Sequence, residues 1–207
     1  MKRQFAKVPH KLLDLKENNT VKFTLIALLH FRQGNSKKIK VTLATLSKIV
    51  GIRERQLTKY MNKLIEHGLI SRKQTIYGHN QFGSNEYELV YNDDNGYTKI
   101  DFAIAYNAKL PISARIGYCF LKRYSNKTNC KVRIGKKKLA SRLQCSLNQV
   151  DKIKRYLKDA NLIDYTAYNA EIILMYEMNS KKTADIENSI KKVKNEHVVN
   201  EDASIIV

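Results

Sequence analysis

Residues 41–70 read VTLATLSKIVGIRERQLTKYMNKLIEHGLI, and residues 134–163 read IGKKKLASRLQCSLNQVDKIKRYLKDANLI. The two stretches align without a gap at an offset of 93. Leu46 falls on Leu139, Gln56 on Gln149, Lys59 on Lys152, Leu64 on Leu157, and Leu69-Ile70 on Leu162-Ile163. Val41/Ile134, Val50/Leu143, Leu57/Val150 and Tyr60/Ile153 keep their apolar character. Few identities over a shared apolar frame indicate one unit used twice, not a short-period solenoid. Upstream, Phe5-Ala6-Lys7-Val8 echoes Tyr97-Thr98-Lys99-Ile100, each ahead of a strongly apolar helix.

In the first copy, Asn18 and Asn19 offer N-caps to a helix over Thr20–Arg32. Val21, Phe23, Leu25, Ile26, Leu28, Leu29 and Phe31 cover most of its sides, which predicts a buried central helix. Lys38–Val41 alternates as a short strand, and Thr42 caps a helix that Gly51 closes. A third helix spans Glu54–His67, with an apolar stripe of Leu57, Tyr60, Met61 and Leu64 ending at Gly68. Leu69–Tyr77 and Glu86–Tyr91 then read as strands joined by a Gly78–Asn85 loop. The second copy predicts helices at Ile112–Tyr124, Lys136–Leu143 and Leu147–Ala160, the last with Ser146 and Gln149 as a capping box. Its strands are Lys131–Ile134, Leu162–Tyr165 and Glu171–Met178. The expected fold is therefore α+β and helix-rich: two tandem winged helix-turn-helix domains related by internal duplication. They occupy residues 1–92 and 97–178, with a short linker at 93–96 and a partly helical or disordered tail at 179–207.

Charge follows the same division. The 207 residues hold 38 Lys+Arg against 19 Asp+Glu, a net charge of +19. Residues 1–92 carry 17 basic and 6 acidic side chains, residues 97–178 carry 16 and 6, and the tail balances. Two folded modules of similar positive charge suit a polyanion better than one basic arm would. A hydrophobic fraction of 43% allows packed cores. No apolar run reaches the ~18 residues of a membrane span, and the basic N-terminus lacks the apolar stretch of a signal peptide, so a cytoplasmic chain without membrane partners is expected. Cys119, Cys130 and Cys145 form no Cys-x-x-Cys pair, so reduced core thiols are expected rather than a disulfide framework or zinc site.

Lys7-Val8-Pro9 before an apolar helix, followed by a helix-turn-helix ending in Glu66-His67-Gly68-Leu69-Ile70, resembles winged-helix proteins of Gram-positive plasmids and phages. The tandem pair, over about residues 5–178, is similar to iteron-binding plasmid replication initiators, which set two winged-helix domains on adjacent DNA turns. The second copy departs from the pattern, with Asn161 where the first has Gly68. The resemblance implies a non-catalytic, sequence-specific binder of double-stranded DNA, first of all a replication initiator at origin repeats. A transcriptional repressor at an operator and a relaxosome or segregation accessory factor are the alternatives within that class. A structured-RNA binder and a nicking enzyme lie outside it.

A helix that reads the major groove needs an outward face of long polar and cationic side chains. The first third helix turns Arg55, Gln56, Lys59, Asn62 and Lys63 outward, preceded by Arg53. Arg55 and Gln56 suit guanine and adenine edges, and Lys59 and Lys63 suit phosphates. Its second counterpart exposes Asn148, Gln149, Lys152 and Arg155, with Asn148 and Gln149 as readers. Arg72, Lys73 and His79 belong to the first hairpin and can follow a backbone or enter a minor groove. Lys136, Lys137 and Lys138 start a helix, where amides and ammonium groups together suit a phosphate. No complete phosphate loop, Gly-x-Ser-x-Gly or His-x-His occurs, so neither catalytic residues nor a metal or cofactor are expected. Replisome proteins, or self-association through the C-terminal tail, are the further partners this reading allows.

Overall fold

In a computed structural model describing residues 5–34, 36–77, 81–91, 96–165, 171–177 and 179, small antiparallel sheets pack beside helices in a mixed α+β arrangement. Strand β1 (Phe5–Pro9) leads through α1 (His10–Asp14) to α2 (Asn19–Leu29). After these come β2 (Lys38–Lys40), α3 (Leu43–Val50), α4 (Glu54–Glu66), β3 (Ile70–Tyr77) and β4 (Gln81–Leu89). The same order then returns as β5 (Tyr97–Asp101), α5 (Phe102–Ala105), α6 (Ile112–Tyr124), β6 (Lys131–Arg133), α7 (Lys136–Leu143), α8 (Leu147–Asp159), β7 (Ile163–Tyr165) and β8 (Glu171–Leu174). Both three-stranded sheets place their last strand in the middle, β2-β4-β3 and β6-β8-β7.

Local chemistry explains the elements. The Asn18 side chain accepts a hydrogen bond from the Val21 amide at 2.9 Å, starting α2, and every residue from Val21 to Leu29 is buried. Thr42 and Ser146 cap α3 and α8 in the same way. Helices α4 and α8 end alike: Leu69 N–H donates to the Leu64 carbonyl at 3.0 Å, and Leu162 N–H to the Leu157 carbonyl at 2.9 Å. The residue between is left-handed both times, Gly68 at φ 62° and Asn161 at φ 55°. Asn161 thus keeps the backbone of a glycine-type helix stop, because asparagine tolerates that conformation better than other side chains do.

The halves meet through their counterpart elements. Strands β1 and β5 pair antiparallel with Lys7 opposite Lys99, Phe5 opposite Asp101 and Pro9 opposite Tyr97. Ala6, Val8, Thr98 and Ile100 point inward, and beneath them α2 packs on α6. On the outer face Lys7 Nζ lies 4.9 Å from the Tyr97 ring centroid and Lys99 Nζ 4.9 Å from that of Phe5. One hydrophobic core runs through both halves, so packing, not only the 93–96 connection, holds them together. Gly117 of α6 permits a close approach of α8: a Cβ there would lie 2.7 Å from Ile153 Cγ2.

Four expectations change. The second strand of the first hairpin begins at Gln81, not Glu86, so the hairpin is longer and its connection shorter than predicted. Gln81–Asn85 is polar and lacks core alternation, but backbone pairing with β3 carries it outward past an irregularity between Gln74 and Ile76. Strand β8 stops at Leu174 instead of Met178, because residues 175–177 turn helical and bring Tyr176 to Asp101 and Glu177 to Tyr118 and Lys122. Helices α1 and α5 were not predicted; each is a single short turn without a periodic stripe. The pairing of β1 with β5 was also unforeseen, although their sequence echo was visible. Among the described residues, no helix is long and apolar enough to cross a membrane.

Candidate nucleic-acid interface

Leu57, Met61 and Leu64 anchor α4 in the core, with Tyr60 half-buried beside them. That leaves Arg53, Arg55, Gln56, Lys59 and Asn62 exposed. Arg53, Arg55 and Lys59 form no ion pair among the described residues. Gln56 donates through Nε2 to Tyr60 Oη at 2.7 Å, which orients its amide along the helix surface. Lys63 stands apart from this group. Its Nζ is 2.7 Å from Glu17 Oε2, and His67 Nε2 lies 3.3 Å from the other carboxylate oxygen. The Lys63 ammonium, with a smaller contribution from His67, holds the Glu17 carboxyl below its usual range. Lys63 is therefore drawn toward the segment before α2.

Helix α8 repeats the arrangement. Val150, Ile153 and Leu157 are buried, while Asn148, Lys152 and Arg155 are exposed and Gln149 is half-buried. The Gln149 amide N–H donates to Ser146 Oγ at 3.2 Å. Lys136 reaches across from α7 to Asp151, neutralising an acid on that side of α8. Lys137 and Lys138 stay exposed in the first turn of α7, whose N-cap, Gly135, supplies no side-chain acceptor. Arg72 and Lys73 are exposed at the root of β3. His79 lies outside the described residues.

One glutamate in each three-stranded sheet, Glu86 and Glu171, is paired in a matching position. Glu86 stands 3.7 Å from both Lys38 and Lys40, and Glu171 stands 3.0 Å from Lys131 and 3.2 Å from Arg133. Lys131, then Arg133, lowers the Glu171 carboxyl pKa. These two acids thus answer cations on the edge strands, and the cations Arg55, Lys59, Lys152 and Arg155 of the outward lines have no ion pair among the described residues. The clamps had a sequence signal, Lys-x-Lys and Lys-x-Arg with one Glu facing them from the last strand, that was not read.

Three further features escaped the sequence reading. Lys154, at the place of buried Met61, is half-buried with Nζ 4.0 Å from the Tyr165 ring centroid, and burial lowers its pKa. Leu147 opens α8 with 40% of its surface exposed, where α4 has Glu54. Lys22 is wholly buried in α2, its Nζ donating to the Leu13 carbonyl at 3.0 Å and lying 5.4 Å from the Phe120 ring centroid. Two of the cysteines, Cys119 and Cys130, are buried free thiols, and burial pushes Cys119 up to about 12. No known family model matches the chain, and no curated protein shows significant sequence similarity to it.

Proposed function

We propose that this chain is a sequence-specific double-stranded DNA-binding protein of a plasmid or phage, most simply a replication initiator acting on origin repeats in the cytoplasm. In this reading each half is a winged helix-turn-helix unit, the two descend from a duplication, and neither is catalytic. Helices α4 and α8 enter the major groove, and the β3–β4 hairpin follows the backbone. The observation that carries the reading is the pair of matched outward lines, Arg55/Lys59/Asn62 and Asn148/Lys152/Arg155. Both sit on equivalent helices, are exposed, and have cations without acidic partners among the described residues.

Counterpart strands pair with each other and counterpart helices pack together, a local two-fold arrangement. A two-fold reader calls for half-sites of opposite sense, about 10 bp apart. The test begins with selection of bound duplexes from a random library, then footprinting on the native plasmid or phage. Contact with ~6–10 phosphates gives a slope of log K on log[salt] near −5 to −9. Arg55→Ala should relax base preference in one half-site by ~1–3 kcal/mol. A slope near zero removes the DNA reading. Protection of repeated sites beside an origin supports the initiator role, whereas a single operator over a promoter would replace it with repression. Equal affinity for duplex RNA would overturn both, because its deep major groove excludes a reading helix.

A further inference from the structure

Although α4 and α8 share a frame, their reading edges differ in chemistry. On the outward line, Arg55 and Asn62 of α4 correspond to Asn148 and Arg155 of α8. The same two residue types therefore occur in opposite order along the two helices. At the first helical position, charged Glu54 in α4 is replaced by Leu147 in α8. Leu147 lies outside the buried stripe of Val150, Ile153 and Leu157 and keeps 40% of its surface exposed at the start of the helix, the one exposed aliphatic side chain of α8, with aromatic Tyr156 exposed further along. An aliphatic side chain beside an exposed amide and unpaired cations matches one feature of duplex DNA. The major-groove edge of an A·T pair offers the thymine 5-methyl as apolar surface and adenine N6/N7 as partners for asparagine.

Resting on the DNA-binding reading, we infer that α8 reads a thymine through Leu147 and an adjacent adenine through Asn148, whereas α4 reads guanine through Arg55. Each binding site is then a degenerate inverted repeat with one A·T-reading arm and one G·C-reading arm. Leu147 is the specificity-determining residue that makes the arms unequal.

The experiment uses the full chain and a duplex selected from a random library. Asn148→Ala identifies the α8 arm by the half-site whose base preference it relaxes. Each thymine is then replaced singly by uracil, which removes the methyl and leaves the pairing edge unchanged. One replacement in the α8 arm should weaken binding about fourfold, as expected for losing one buried methyl group. Replacements in the α4 arm should change affinity by less than about 1.5-fold, since Glu54 offers a methyl no apolar contact. Leu147→Ser, which replaces the apolar side chain by a polar one, should bind the thymine and uracil duplexes equally. Equal binding of all uracil duplexes by the unaltered protein, or sensitivity that persists in Leu147→Ser, overturns the inference while leaving DNA binding intact. Failure to select any sequence overturns the DNA reading and this inference with it.

Discussion

Replacing Lys22 by methionine should stabilise the protein at neutral pH, although it removes a hydrogen bond. The side chain has no exposed surface, and burial pushes its amine from 10.5 down to about 8, against the opposing pull of Asp14 and Glu17. At ~1.4 kcal/mol per pH unit, the interval between those two values bounds the cost of the buried charge at pH 7 at about 3 kcal/mol. Methionine fills a similar unbranched volume but leaves the Leu13 carbonyl unpaired, at a cost of about 1–2 kcal/mol. The expected net gain is about 1–2 kcal/mol.

The pH dependence gives a sharper test. Because the folded-state pKa lies below the unfolded one, stability rises as pH climbs from about 8 toward 10.5, where only the unfolded chain still holds the proton. Between about pH 8 and 9.5 the parent protein should gain about 1.5 kcal/mol relative to Lys22→Met. Tyr106, Tyr118 and Cys119 are all raised by burial and act in the opposite sense, but they are present in both proteins and cancel in the difference. Urea denaturation of both proteins at about pH 7, 8 and 9.5 measures it. Parallel pH profiles, with Lys22→Met the less stable protein throughout, would refute the reasoning.

Gly117→Ala should lower the thermal midpoint: its methyl would sit 2.7 Å from Ile153 Cγ2, and overpacking of ~1–3 kcal/mol exceeds the ~1 kcal/mol gain in helix propensity. A raised midpoint would mean that α8 yields freely. Asn161→Gly should add about 0.5–1 kcal/mol by relieving the left-handed position after α8, and Asn161→Ala should cost about 1 kcal/mol, both read by urea midpoints. Ten Gly/Ser residues inserted after Asp94 should shift stability by only ~1 kcal/mol and leave the footprint length unchanged, because β1–β5 pairing and α2–α6 packing join the halves. A shortened footprint would show that the connection does the tethering.

Much of the framework was legible in the amino-acid order, because helices with one buried face write a periodic record. The stripes Leu57/Met61/Leu64 and Val150/Ile153/Leu157, the caps at Asn18, Thr42 and Ser146, and the stop at Gly68 are local consequences of local residues. The outward lines of α4 and α8 follow from those stripes by geometry alone. Tertiary structure decided what depends on partners distant in sequence. Lys63 is held by Glu17, 46 residues earlier, and Lys136 by Asp151, 15 residues later on the next helix. Polar Gln81–Asn85 becomes strand because β3 lies beside it to take its backbone hydrogen bonds. Lys22 reads as a break in an apolar helix until the Leu13 carbonyl and the Phe120 ring close around its amine. Periodicity records which side of an element is buried; which charge meets which partner is settled only when the halves fold onto each other.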